Sequence, residues 1–130
     1  MSLPTRVCPA CYAFNPWTAT ACETCRASLV IEDARAFNRW LIWALRHPDT
    51  ETAMRAADIL AVRHAVEAID ALSLLVEQPD DPYRSAAAAA ALTAFAGDPA
   101  ADAAIQRAAA HPSVIVRVAL ERARAQRGHR

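Results

Sequence analysis

The sequence predicts a mainly α protein: a short α-solenoid over residues 31–130, preceded by a small cysteine-framed module over residues 1–30. Three observations point there. All four cysteines fall close together near the start of the chain, as Cys8-Pro-Ala-Cys11 and Cys22-Glu-Thr-Cys25. About a quarter of the 130 residues are alanine and only two are glycine, a composition that strongly favours helix. Beyond residue 30, proline-marked stops recur at similar intervals, each followed by text with helical periodicity.

The cysteine frame comes first. A Cys-x-x-Cys turn places two thiolates on one side of a tetrahedron, and two such turns complete it. Zn²⁺ takes four soft ligands in that arrangement, and a closed four-thiolate shell leaves no position for water or substrate. Competing uses of the four cysteines fit less well. A disulfide framework belongs to small exported domains, and no apolar signal segment opens this chain. Rubredoxin-like iron uses a longer spacer between its turns, and a thioredoxin-type pair needs a strand before it and a helix after it. Cys8, Cys11, Cys22 and Cys25 are therefore the expected ligands of a structural zinc. Residues 1–28 hold too few apolar groups for a core of their own, so losing the metal should cost on the order of 10 kcal/mol.

The frame is more specific than its ligands. With Asn15 between the two turns, it resembles the Ran-binding-protein type of zinc finger and the short bacterial ribbons written Cys-Pro-x-Cys-x-x-x-Asn-Pro, over about residues 6–29. That resemblance implies that Asn15 braces the loop and that Leu29 closes the ribbon. The residues carrying the family's binding activities differ here. Arg6 stands where eukaryotic members carry tryptophan, Pro16 to Ala21 replace the paired arginines of RNA readers, and Tyr12-Ala13 replace the Thr-Phe of ubiquitin binders. Tyr12 and Trp17 remain as aromatic candidates for stacking on a base or filling a partner's pocket, with packing around the metal as the alternative.

Past residue 30 the text becomes helical. Asp33 is placed to cap a helix from Ala34 to His47 with Phe37, Trp40, Leu41, Ala44 and Leu45 on one stripe, stopped by Pro48. A long pattern without Gly or Pro runs from Thr50 to Gln78. Further helices are expected from Tyr83 to Ala96, from Ala100 to Ala110 and from Ser113 to about Gln126. Gly97 suits a left-handed helix stop, and Pro99 suits the first turn of the next helix.

His47-Pro48, Asp81-Pro82 and His111-Pro112 open helices at similar intervals, the first slightly longer than the second, each followed by a basic residue among small ones. This resembles HEAT repeats of the short type found in the phycobilisome-lyase family. On that register residues 50–78 turn near Arg63-His64; a single long helix is the alternative. Small residues let stacked helices approach closely, which accounts for the run from Ala86 to Ala91. Trp40, Trp43 and Phe37 are expected to seal one end of the stack. Val114, Ile115, Val116, Val118 and Leu120 exceed one stripe, which makes the last helix a candidate homodimer or docking face.

Charge and motifs bound the function. The formal charge is zero, every basic residue is arginine, and residues 107–130 carry six arginines against Glu121. Arg117, Arg122 and Arg124 are the candidates on that basic helix for binding phosphates or a partner, against the alternative that they serve the helix dipole and solubility. No phosphate loop, no supported nucleophile set and no spare cysteine mark an enzyme; His47 and His111 read as capping or packing residues, and Glu67 and Asp70 near His64 as ordinary solvent-face residues. The expected function is a non-enzymatic protein–protein adaptor or accessory subunit in the cytoplasm, without membrane insertion. The alternative is a nucleic-acid-associated factor using the ribbon and the arginine-rich helix.

Overall fold

The computed structural model describes residues 5–8, 10–16, 18–29, 34–78 and 80–128. Trp17, the Asp33 cap and Arg130 lie outside the described residues. Two strands, β1 (Thr5–Val7) and β2 (Phe14–Pro16), pair antiparallel with Arg6 opposite Asn15. Six α-helices follow among the described residues: α1 (Ala34–Ala44), α2 (Thr50–Val62), α3 (Ile69–Val76), α4 (Pro82–Leu92), α5 (Pro99–Ala109) and α6 (Val114–Gly128). Short 3-10 turns, Val66–Ala68 and Thr93–Phe95, lead into α3 and out of α4.

The chain from Thr50 to Gln78 is two helices that turn at Arg63-His64, not one long helix. No Gly or Pro marks this turn because His64 itself adopts the left-handed conformation, at φ 53°. Ala65 N–H donates to Leu60 O at 3.1 Å and His64 N–H to Ala61 O at 3.0 Å, the bond pair of a Schellman stop. The His64 ring stacks on Phe95 with centroids 5.0 Å apart, which anchors the strained residue. The first helix ends at Ala44, short of the expected His47, because Arg46 and His47 close tighter turns onto Trp43 O and Ala44 O.

Three capping devices open the later helices. Asp49 accepts from Thr52 N–H at 3.0 Å, Asp81 from Arg84 N–H at 3.1 Å, and Asp98 from Ala100 N–H at 2.9 Å. His47 and His111 do one job twice: each Nδ1 accepts the N–H two residues on, from Asp49 and Ser113, at 3.0 Å. These details correct the repeat register. Pro48 and Pro112 stand two residues before their helices, whereas Pro82 is the first residue of α4 because Asp81 is already the cap. Counted from prolines the two intervals are unequal; counted from helix starts at Thr50, Pro82 and Val114 they are the same.

That constant interval organises the core. α2 packs on α4 and α4 on α6, while α3 packs on α4 and α5. Ala56, Ala88 and Leu120 occupy equivalent places and are buried, as are Leu60 and Leu92. α1 falls in the register of α3 and α5: Phe37, Trp40 and Ala44 match Ile69, Leu72 and Val76, then Ala101, Ala104 and Ala108. Polar groups join successive units. Thr50 Oγ1 donates to Asp81 Oδ2 at 2.6 Å, and Arg84 Nη1 donates to Leu45 O at 3.0 Å, satisfying the end of α1. Buried Ser85 does the same for α3, donating to Leu75 O at 2.8 Å.

The last helix is better covered than its composition suggests. Val116 and Leu120 are buried on α4 and Ile115 is partly buried, leaving Val114 and Val118 exposed. Where α2 and α4 bury Ala57 and Ala89, and Leu60 and Leu92, α6 carries exposed Glu121 and Arg124. α6 has no helix following it among the described residues, and its polar residues sit where that helix would pack.

Candidate metal centre

The two cysteine turns are near copies. Cys8 N–H donates to Ala13 O at 2.8 Å and Tyr12 N–H to Cys8 O at 2.8 Å; Cys22 N–H donates to Ala27 O at 2.8 Å and Arg26 N–H to Cys22 O at 3.0 Å. In each, the residue after the second cysteine is left-handed, Tyr12 at φ 64° and Arg26 at φ 67°. β1 and β2 flank the first turn, and an Ala21–Ser28 bridge flanks the second. This closure curls backbone N–H groups inward onto sulfur. Ala10 N–H reaches Cys8 Sγ at 3.3 Å, and Thr24 and Cys25 N–H reach Cys22 Sγ at 3.4 and 3.5 Å.

All four Sγ atoms lie within 4.8 Å of one another. Cys11 and Cys22 are 3.5 Å apart and Cys8 and Cys25 3.6 Å apart at their sulfurs. These are far longer than the roughly 2.05 Å of a disulfide bond. They match the edge of a tetrahedron with about 2.3 Å metal–sulfur bonds, which is about 3.8 Å. The donor set therefore fits a metal ion such as zinc. Cys8 and Cys22 are buried over Leu29, with Cys25 on the solvent side.

The thiols differ in ease of ionisation. Cys22 is lowered to about 6, chiefly by the Cys25 N–H, with Asn15 and Thr24 adding to it against burial. The Ala13 backbone bond favours ionised Cys11, but burial and the neighbouring sulfurs of Cys22, Cys25 and Cys8 together push that thiol up to about 12. Burial raises Cys8 as well. Four thiols crowded this closely cannot all ionise without a cation among them.

Asn15 connects the two turns. It is 2 % exposed; its Nδ2 donates to Ala13 O at 3.1 Å and Cys22 Sγ at 3.4 Å, while its Oδ1 accepts Glu23 N–H at 2.9 Å. Leu29 is fully buried against the cysteines, as the ribbon resemblance implies.

Tyr12 faces the helices. Its hydroxyl approaches Trp43 O at 3.5 Å, and its ring meets His47 edge to face with centroids 5.2 Å apart. Trp40, expected at the end of the helical stack, packs instead against the cysteine cluster. The 3.6-residue periodicity identifies Trp40 as inward-facing but not what it faces. Leu72 and Ala104, at the same spacing in α3 and α5, are buried in the helical core, whereas Trp40 joins α1 to the cysteine module.

The α6 arginines are not drawn into this centre. Arg117 Nη1 donates to His111 O at 2.5 Å, and Arg127 Nε donates to Thr93 Oγ1 at 2.6 Å. Arg107, within the same basic stretch, is paired with Glu77 at 2.7 Å. Arg122 and Arg124 are exposed; helical spacing puts Arg124 on the face of Arg117 and Arg122 on another. Arg124 and Arg127 line a groove of about 380 Å³ with Asp102 and Gln106. No helix among the described residues is long and apolar enough to cross a membrane.

Comparison with protein-family models, curated proteins and solved structures returned no match.

Proposed function

We propose that the protein is a non-enzymatic protein–protein interaction adaptor or accessory subunit, built from a structural zinc ribbon and a HEAT-like helical scaffold. The observation that carries this reading is the closed cluster of four cysteine sulfurs seated on α1. A zinc ion held by Cys8, Cys11, Cys22 and Cys25 would cross-link the ribbon, and with all four positions taken it would have none for a substrate. The helical part supports a scaffold role. Helices that start at equal intervals, α2 on α4 on α6 in one row and α3 on α5 in another, make the contacts expected of stacked helix pairs. On this reading the ribbon packs on α1 in the place of a neighbouring helix, and α6 presents polar Glu121 and Arg124 where α2 and α4 bury apolar residues.

The second reading, a nucleic-acid factor, is supported by exposed Arg122 and Arg124, neither of whose guanidinium groups has a hydrogen bond or ion pair to a described residue. It is weakened by Arg107, Arg117 and Arg127, which are engaged within the protein. Affinity capture of the tagged protein from its native cells, with and without nuclease, separates the two. Partners that survive nuclease support the adaptor. Partners lost with nuclease refute it in favour of the second reading.

A further inference from the structure

One face of α1 sets two arginines around an apolar pair, of which Ile42 is partly buried against the helical core and Trp43 stays open to solvent. Arg39, Ile42, Trp43 and Arg46 follow at helical steps of three, four and seven, so they line one side of the helix and its closing turn. Trp43 is 49 % exposed, which is unusual for so large an apolar residue. Ile42 and Trp43 form one wall of a groove of about 320 Å³; Ala71 of α3 and Ala10 and Tyr12 of the ribbon complete it. Arg46 is the one charged residue among the described residues lining this groove. Arg39 and Arg46 are exposed, and neither guanidinium group has an ion pair or hydrogen bond to another described residue. The two guanidinium groups thus bracket an apolar centre two helical turns long, about 10 Å.

We propose that this face is a docking site for an acidic amphipathic helix of a partner protein, with two carboxylates seven residues apart and apolar side chains between them. The inference deepens the adaptor reading and rests on it. Charge complementarity selects the occupant: the carboxylates meet Arg39 and Arg46, and the apolar pair between them covers Ile42 and Trp43 and enters the groove. The spacing three, four, seven reads the same from either end, so the partner helix fits in either direction. A half-exposed tryptophan at the centre with charged residues at the rim is the usual composition of an interface hot spot.

The probe is an alanine-based helical peptide with two glutamates seven residues apart and two leucines between them, at the third and fourth steps. Its control carries lysines in place of the glutamates. Binding to the full, metal-loaded chain is followed by titration of backbone and indole N–H resonances. The glutamate peptide is expected to shift the signals of Trp43, Arg46 and Ala71, and the lysine peptide to leave them in place. R39Q and R46Q should each weaken binding by about three- to five-fold, and Trp43→Ala by about thirty-fold or more. Because Trp43 is half exposed, its truncation should leave the fold intact. The double variant R39E/R46E should reverse the preference to the lysine peptide. Equal binding of both peptides, no binding of either, or shifts confined to α6 would overturn the inference. If nuclease-resistant partners are still captured in that case, the adaptor reading stands and only the α1 site is lost.

Discussion

The carboxamide of Asn15 donates to the sulfur of Cys22 at 3.4 Å while its oxygen holds the Glu23 N–H at 2.9 Å. One buried side chain thereby fixes the geometry of the second turn from the strand that follows the first. Replacing Asn15 by alanine leaves the Glu23 N–H without its partner and loosens the position of a ligand sulfur. The expected result is a loss of about 10- to 100-fold in metal affinity, measured by competition with a chromophoric chelator. Unchanged affinity would mean that the backbone alone sets the turn.

Metal removal should act locally. The cysteine cluster and the helical core are separate groups of buried residues joined at α1. A strong chelator should therefore abolish amide protection in residues 5–29 and change the environment of Trp40, while most of the far-ultraviolet helical signal persists. Wholesale loss of that signal would show that the helical stack depends on the ribbon far more than this packing implies.

The junction between successive units predicts an acid limb. Burial raises the Asp81 carboxyl, but the Thr50 hydroxyl, the Arg84 N–H and the Arg84 guanidinium outweigh it, so the group sits below its ordinary value. A depressed folded-state pKa adds stability at pH values above the unfolded value of about 3.9. That contribution is lost as pH falls through the folded value. Asp81→Asn should flatten the acid side of a melting-temperature profile below about pH 4. Asp81→Ala, which also removes the helix cap, should cost about 1–2 kcal/mol at neutral pH.

His64 offers a test of backbone strain. At φ 53° a β-branched side chain is strongly disfavoured and glycine is not. Denaturant melts should find His64→Val less stable than His64→Gly by at least about 1 kcal/mol. Equal stabilities would mean that the turn can relax out of the left-handed region.

How far the sequence reveals this architecture differs from part to part. The clustering of the four cysteines was legible because a Cys-x-x-Cys turn has little conformational choice, and Gly97 and Pro99 marked the break between α4 and α5. The turn at His64 carried no such mark, because its left-handed residue is a histidine held by Phe95. The constant spacing of helix starts was obscured by its own punctuation, since proline precedes the cap in two units and follows it in the third. Trp40 was recognisable as an inward-facing residue. Its contact with the cysteine cluster was not, because periodicity identifies a face and tertiary packing chooses the partner. The stripe from Arg39 to Arg46 was missed for a similar reason: Trp43 was expected to seal the stack, and only its exposure draws attention to the arginines beside it.

The most direct test is native mass spectrometry of the purified chain combined with thiol alkylation before and after chelation. One zinc ion per chain is expected, with four cysteines that resist alkylation until the metal is removed. A metal-free chain with freely reactive thiols, or one whose cysteines are joined as disulfides, would contradict it.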